Sequence, residues 1–149
     1  MNISVDITIM KPRAAVWSVI TDIENCAGVI SNIENIKVLE KPSSGLVGLK
    51  WQETRVMYGK SAMEVMWITQ AKELEFYSTR AQSHGCIYIT TLALTEVDKG
   101  TRLEMTFSGE AQTWLSKAMS FCLSGVISKS MKKALLQDLR DIKHYTEML

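Results

Sequence analysis

The C-terminal stretch of the chain, residues 113–149, constrains the fold more than any other feature of the sequence. From Met131 onward its apolar residues recur at helical spacing, with charged residues between them. Residues 114–127 are apolar over a wider arc, which predicts deeper burial near the start of the helix. A single long amphipathic helix needs an apolar surface to pack on, so the rest of the chain must supply one.

The preceding residues supply that surface as strands, because apolar and polar residues alternate along most of them. The first strand pattern covers residues 3–9 and stops before Pro12, which suits the first turn of a helix. Two short helical segments follow, at residues 14–23 and 29–33. Short turns then separate six further strand patterns, which predict an antiparallel meander: residues 36–40, 46–57, 60–70, 74–82, 86–97 and 101–110. At the turn Asp98-Lys99-Gly100, the glycine is expected to take a positive φ.

Composition narrows the class of protein. A chain of 149 residues fits one domain, 1–149, and its formal net charge of +1 argues against nucleic-acid binding. The lysines near Lys129 and Lys133 indicate a solvated helix face, with a phosphate or lipid-headgroup role as the lesser alternative. Three widely spaced cysteines form no CxxC pair and suit a reducing cytoplasm. With no signal-peptide pattern and no apolar run long enough to span a bilayer, we expect a cytoplasmic protein without an integral membrane segment.

Several short motifs occur in a characteristic order along nearly the whole chain. Ile7-Thr8-Ile9-Met10-Lys11-Pro12 leads to Val16-Trp17 and Thr21-Asp22-Ile23-Glu24, and Val47-Gly48-Leu49-Lys50-Trp51 follows. Gly100-Thr101-Arg102-Leu103 precedes the last strand, and Asp138-Leu139, Ile142-Lys143 and Glu147 lie in the last helix. This order resembles the START-like (SRPBCC) superfamily of helix-grip proteins, which includes polyketide cyclases and lipid-transfer domains.

The resemblance implies an α+β fold in which an antiparallel sheet of about seven strands wraps around the long C-terminal helix, with two short helices after the first strand. It also implies a cavity between sheet and helix that binds a hydrophobic small molecule, such as a lipid, a quinone or a polyketide-like aromatic. Two alternatives remain open: an enzyme of the polyketide cyclase or aromatase kind, and a partner-binding module that uses the apolar opening. Because a fold hosts many activities, the choice between them depends on the site.

Alternation predicts which side chains face the cavity in such a fold. Met105 and Phe107 are expected to face inward on the last strand, beside Tyr88 on the strand before it. For residues 60–70 we favour Met63, Val65 and Trp67 over their neighbours. Residues 74–82 leave two phases open, either Phe76, Ser78 and Arg80 or Tyr77, Thr79 and Ala81. Trp114 and Phe121 are the expected contributions of the helix.

The strand 46–57 carries the polar candidates. Val47, Leu49 and Trp51 share a face, and straight continuation would place Glu53 and Arg55 on that face too. Charges in an apolar cavity are costly unless they are paired, so these two would pair with each other or with a polar ligand group. The alternative is a bulge or strand end that turns both side chains to solvent.

No other pattern in the sequence indicates catalysis. His84 lies at a predicted hairpin turn, and Asp22 is expected to cap or turn the first helix. The two histidines of the chain do not cluster, so the sequence predicts no metal site. It contains neither a nucleophile motif nor a phosphate-binding glycine loop. We therefore expect no cofactor, and the sequence leaves the catalytic residues, the ligand's identity and the oligomeric state open.

Overall fold

The computed structural model describes residues 2–57, 59–83, 86–111 and 114–149, with side chains for all of these except 57, 83, 111 and 114–128. The described residues form seven strands, three α-helices and one short 3-10 turn. In chain order the elements are β1 (Asn2–Ile9), α1 (Arg13–Thr21), the 3-10 turn (Ile23–Asn25), α2 (Cys26–Val29), β2 (Ile33–Glu40), β3 (Lys50–Met57), β4 (Lys60–Lys72), β5 (Phe76–Ser83), β6 (Cys86–Val97), β7 (Gly100–Ala111) and α3 (Trp114–Glu147).

All seven strands of the described residues lie in one antiparallel sheet with the order β1-β7-β6-β5-β4-β3-β2. Strands β2 to β7 are neighbours in sequence as well as in space, because the turns between most of them are short. Strand β1 then pairs with β7 over its whole length, from Asn2 opposite Ser108 to Ile9 opposite Thr101. This is the α+β helix-grip architecture that the sequence predicted.

The C-terminal helix α3 lies against the sheet and is fastened to β1. Leu139 is fully buried between them, together with Ile9 and Leu103. The Nζ atom of Lys143 donates a hydrogen bond to the backbone oxygen of Thr8 over 2.7 Å. The carboxylate of Glu147 accepts one from the backbone N–H of Met10 over 2.8 Å. Apolar packing and these polar contacts together fix the helix relative to the first strand.

The turn before β7 differs from the prediction in its backbone. Lys99, rather than Gly100, takes the positive φ, at 67°. Gly100 is required for a different reason, since a Cβ atom on it would lie 2.2 Å from the backbone oxygen of Ile9. The glycine therefore permits the close approach of β7 to the end of β1.

Two element boundaries were also wrong. The second short helix covers Cys26–Val29 and is followed by β2 from Ile33, whereas the sequence indicated a helical turn at residues 29–33. Strand β3 begins at Lys50 instead of residue 46, because Leu49 donates a turn hydrogen bond to the oxygen of Leu46 and Gly48 has a φ of 96°. As a result Val47 is exposed and does not share a strand face with Trp51.

None of the helices within the described residues has the length and apolarity needed to cross a lipid bilayer.

Candidate functional site

A cavity of about 640 Å³ lies between the concave face of the sheet, the short helical region after β1 and helix α3. This volume is within the range of small-molecule sites, roughly 300–1,000 Å³. Most of its described wall is apolar: Val19, Ile20, Ile23, Cys26, Val29, Ile30, Ile33, Ile36, Trp51, Val56, Met66, Leu92, Met105, Phe107, Met131, Ala134, Leu135 and Ile142. Exposed lining residues, among them Gly59, Lys133 and Arg140, mark its mouth.

Several residues that the alternation of apolar and polar residues predicted to face the cavity do so in the structure. Trp51, Met105 and Phe107 all line the cavity, and Leu103 on the same face of β7 is fully buried. On β5 the inward phase is the one that contains Tyr77. The Tyr77 hydroxyl donates a hydrogen bond to the oxygen of Ile20 over 2.8 Å, which ties α1 to the sheet. The side chains of Trp114 and Phe121, also predicted to line the cavity, lie outside the described residues.

The predicted phase of β4 was wrong. Met63 is 69% exposed, and neither Val65 nor Trp67 is part of the described wall. The physical reason is the register with β3, in which Glu64 lies opposite Glu53 and Met66 opposite Trp51. Directly paired residues of antiparallel strands share a face, so Glu64 and Met66 point into the cavity and the three predicted residues point outward.

Tyr88 also lies outside the described cavity wall, although it contacts it. Its ring stacks on that of Phe107, with centroids 5.6 Å apart and an interplanar angle of 22°. Burial, followed by a hydrogen bond with Cys86, raises the pKa of Tyr88 to about 12. Tyr88 therefore packs against the ring of Phe107 and stays neutral at physiological pH.

The polar end of the cavity is built around Arg55. Strand β3 pairs with β4 without interruption from Lys50 to Met57, so alternation carries Glu53 and Arg55 onto the inward face of Trp51. The Arg55 Nε atom donates to Glu53 Oε2 over 3.2 Å. Its Nη1 atom lies 3.0 and 2.9 Å from the two carboxylate oxygens of Asp138 on α3. We refer to Glu53, Arg55 and Asp138 as the Arg55 cluster.

Asp138 is the member of the Arg55 cluster that sequence reasoning missed as a site residue. Its side chain is 3% exposed, the most buried of the three. It lies on the apolar stripe of α3, three residues after Leu135 and four before Ile142, and all three line the cavity. A carboxylate in the middle of an apolar helix stripe is a readable signal, because burial of a charge requires a partner.

Asp138 is an acid whose proton affinity differs between the folded and unfolded states. Burial raises its pKa from 3.8 to about 6, while the Arg55 guanidinium lowers it. The folded protein therefore binds more protons than the unfolded chain between these two values. The stability that protonated Asp138 contributes is fully present below the unfolded pKa and is lost as pH rises through the folded pKa.

We expect the free energy of unfolding of the wild type to fall relative to that of Asp138→Asn as pH rises from about 4 to about 6. Urea denaturation of both proteins across this range measures the difference. Asp141→Asn, on the same helix, is the control. Burial raises the pKa of Asp141, but hydrogen bonds from Ser31 lower it by more, so the net shift is downward from 3.8. The control difference should therefore be nearly flat over most of this range and change with opposite sign only at its acid end. A pH-independent difference for Asp138→Asn would contradict the assignment.

Glu64 is a further acid of the cavity wall, directly across the strands from Glu53. Burial raises the pKa of Glu64, and the charge of Glu53 raises it further, against a lowering by Arg55. No hydrogen bond or ion pair to its carboxylate is formed by the described residues. Glu64 is thus an acid of the cavity wall that no described residue pairs with or hydrogen-bonds to.

The remaining residues considered for a chemical role are His84, Asp22 and Cys26. His84 lies outside the described residues. Asp22 ends α1 and accepts a hydrogen bond from the side chain of Asn25 over 2.6 Å, in a turn as predicted. Cys26 lines the cavity, but burial raises its pKa to about 12, which makes its thiol a poor nucleophile. Within the described part of the chain, no three acidic, cysteine or histidine side chains are arranged to hold a metal ion.

Comparison with known proteins finds similarity in structure alone. No protein-family model matches the sequence, and no curated protein matches it either. The protein TTHA0849 from Thermus thermophilus superposes with a TM-score of 0.81 at 16% identity, over 98% of this chain and 97% of that one. The Zhui aromatase/cyclase from Streptomyces sp. R1128 gives 0.77 at 12% identity, over 99% and 93%. A START superfamily protein from Mycobacterium smegmatis gives 0.70 at 14% identity, over 95% and 98%.

These identities establish a shared fold and do not establish a shared activity. The superpositions extend over nearly all of each chain, so they include the sheet, the long helix and the space between them. The chain has the START-like helix-grip fold.

Proposed function

We propose that this protein binds a hydrophobic small molecule, such as a lipid, a quinone or a polyketide-like aromatic, in the cavity between the sheet and α3. The observation that carries the proposal is the cavity itself, about 640 Å³ in volume and walled mainly by aliphatic and aromatic side chains. Removing apolar surface from water contributes roughly 25 cal/mol per Å², so an apolar ligand of matching size would gain most of its affinity from these walls.

The Arg55 cluster and Glu64 would orient such a ligand. They lie on β3, β4 and α3 and line a cavity whose wall is mainly apolar. A few polar groups in an apolar pocket are the usual source of orientation and specificity in small-molecule sites. The volume of the cavity that the described residues line supports ligand binding over the use of the opening as a docking groove. The cytoplasmic location remains a prediction, which the free thiols of Cys26 and Cys86 support.

Filling the cavity should abolish binding. Thr90 lines the cavity, and no side-chain hydrogen bond of it is found among the described residues. We expect Thr90→Phe to weaken binding of the neutral fluorescent probe N-phenyl-1-naphthylamine at least about tenfold, because the added ring occupies ligand volume. Fluorescence titration measures this effect, and native mass spectrometry of protein purified from its own host would detect a retained molecule.

Thr95→Phe provides the matched control for the filled cavity. Thr95 lies on the same strand as Thr90, but it is exposed on the opposite face of the sheet. This variant should bind the probe like the wild type. Equal binding by both variants and the wild type would place the probe elsewhere on the molecule and contradict the proposal.

An enzyme of the cyclase or aromatase kind is the second candidate. One feature favours it: the Asp138 side chain lines the cavity and is 3% exposed. Burial raises its pKa to about 6, which suits proton exchange near neutral pH. Two proteins of similar structure are an aromatase/cyclase and a di-domain ARO/CYC protein, at 12% and 10% identity. The test is turnover of a poly-β-ketone substrate by wild type and Asp138→Asn. Binding without turnover by the wild type would leave the carrier function alone.

A further inference from the structure

The Arg55 guanidinium is already engaged by two acids of the protein itself. An arginine in an apolar cavity would ordinarily indicate a site for a carboxylate or a phosphate. Here Asp138 and Glu53 already occupy its Nη1 and Nε atoms at 2.9–3.2 Å. A ligand carboxylate could reach only the remaining Nη2 atom, and there it would be a third acid around a single cation, which repulsion between like charges opposes.

The inner wall of the cavity instead has an excess of acid. Glu53, Glu64 and Asp138 face one arginine, and Glu64 lies directly opposite Glu53 across β3 and β4. Like charges at directly paired positions repel. The other cations of the lining, Lys133 and Arg140, are exposed at the mouth, where water screens their charge. Cys26 and Tyr77, which also line the cavity, add no positive charge.

A second unused polar group lies beside Glu64. Trp51 is 3% exposed, and its indole N–H has no hydrogen-bond acceptor within the described residues. In the β3–β4 register Trp51 lies opposite Met66, two positions from the Glu53–Glu64 pair and on the same face. This N–H has almost no accessible surface of its own, so Glu64 remains the group that a ligand in the cavity can reach.

We propose that Glu64 selects the ligand, and that the cavity takes hydrophobic molecules carrying a basic nitrogen in preference to fatty acids and other anionic amphiphiles. This inference rests on the proposed binding function and names its ligand class. The nitrogen would donate to the Glu64 carboxylate and offset the negative charge shared with Glu53. An alkylammonium group keeps its proton, because its pKa is close to that of lysine, about 10.4.

Three ligands with the same alkyl chain test this selectivity: dodecylamine, dodecanol and dodecanoate, each titrated against bound N-phenyl-1-naphthylamine. We expect dodecylamine to bind about tenfold more tightly than dodecanol, and dodecanoate to bind most weakly. In Glu64→Gln the advantage of the amine should disappear, while dodecanol affinity stays within about twofold. This variant should fold well, because it also removes the repulsion with Glu53.

Glu73→Gln is the matched control, since it makes the same change of charge at an exposed turn position and should retain the wild-type order. Equal binding of amine and alcohol by the wild type would overturn the inference but leave the proposed function standing. Binding of none of the three ligands, nor of the neutral probe, would overturn both. Dodecanoate binding most tightly, with that affinity lost in Lys133→Gln/Arg140→Gln, would place the headgroup at the mouth and overturn the inference.

Discussion

Deletion of residues 129–149 is expected to abolish cooperative folding. The deleted segment contains Leu135, Leu139 and Ile142, all buried in the core. Each such side chain contributes roughly 1.5–3 kcal/mol of burial, and together they rival the lower end of a domain's net stability, about 5–15 kcal/mol. Circular dichroism melts and urea titrations of the truncated chain would show a gradual transition or none.

The same deletion also removes the polar contacts that hold α3 in place. Asp141 accepts hydrogen bonds from the N–H and the hydroxyl of Ser31, at 2.9 and 2.7 Å, and Lys143 and Glu147 bond to β1 and the residue after it. Arg55 would lose Asp138, its more buried partner. Loss of these contacts adds unpaired polar groups to the loss of apolar burial.

A short truncation serves as the control for the long one. Met148 and Leu149 are 74% and 67% exposed and follow the end of α3. Their removal costs the hydrogen bond from Lys11 to the Leu149 oxygen, at an exposed position. We expect this variant to melt cooperatively within a few degrees of the parent. A 129–149 deletion that melts like the short truncation would show that the rest of the chain folds without the C-terminal part of α3.

The sequence predicted the architecture well because the fold is specified by local, repeated patterns. The alternation of β7 and the apolar stripe of α3 can each be recognised within a single element, and both agree with the burial of Leu103 and Leu139. Short turns between strands leave few alternatives to a meander. The straight continuation that carries Glu53 and Arg55 to the inward face could be predicted for the same reason, since β3 contains no bulge from Lys50 onward.

The wrong or missing predictions concern features that depend on contacts between secondary-structure elements. On β4 the apolar set Met63, Val65 and Trp67 suggested the inward face, but pairing with β3 decides the phase and turns that set outward. Glu64 was missed for the same reason, because a charged residue between apolar ones reads as solvent-facing. Asp138 could have been identified from its position in the apolar stripe of the helix. Its partner Arg55 could not, because it lies 83 residues away in the sequence.

Replacing Arg55 with methionine is expected to destabilise the protein by about 3–5 kcal/mol at neutral pH, because the change leaves Asp138 and Glu53 in the cavity wall without their cation. The loss should shrink at about pH 5. Burial raises the pKa of Asp138 and Arg55 lowers it, so without Arg55 the carboxyl would take up a proton more readily. Urea denaturation at two pH values measures both effects.

Arg102→Met is a closely matched control for Arg55→Met. Arg102 also contacts an acid two residues along its strand, Glu104 at 3.2 Å, and a second acid on another element, Asp6 at 2.8 Å. The difference is exposure, because the side chains of this trio lie at the surface, where an ion pair contributes little. We expect the free energy of unfolding of Arg102→Met to stay close to that of the wild type. Unlike the cost of Arg55→Met, the difference should hardly depend on pH.

A compensating variant distinguishes two causes of the destabilisation by Arg55→Met, an unpaired buried charge and a simple loss of packing. If Glu53 and Arg55 paired only with each other, replacing both would restore stability, but that double variant still leaves Asp138 buried and unpaired. The compensated variant is Glu53→Met/Arg55→Met/Asp138→Leu, which should recover most of the stability lost in Arg55→Met, because apolar residues of similar volume can replace a buried ion cluster. If the triple variant is no more stable than Arg55→Met, or if Arg55→Met matches Arg102→Met, the Arg55 cluster is not the buried charge network inferred from its contacts.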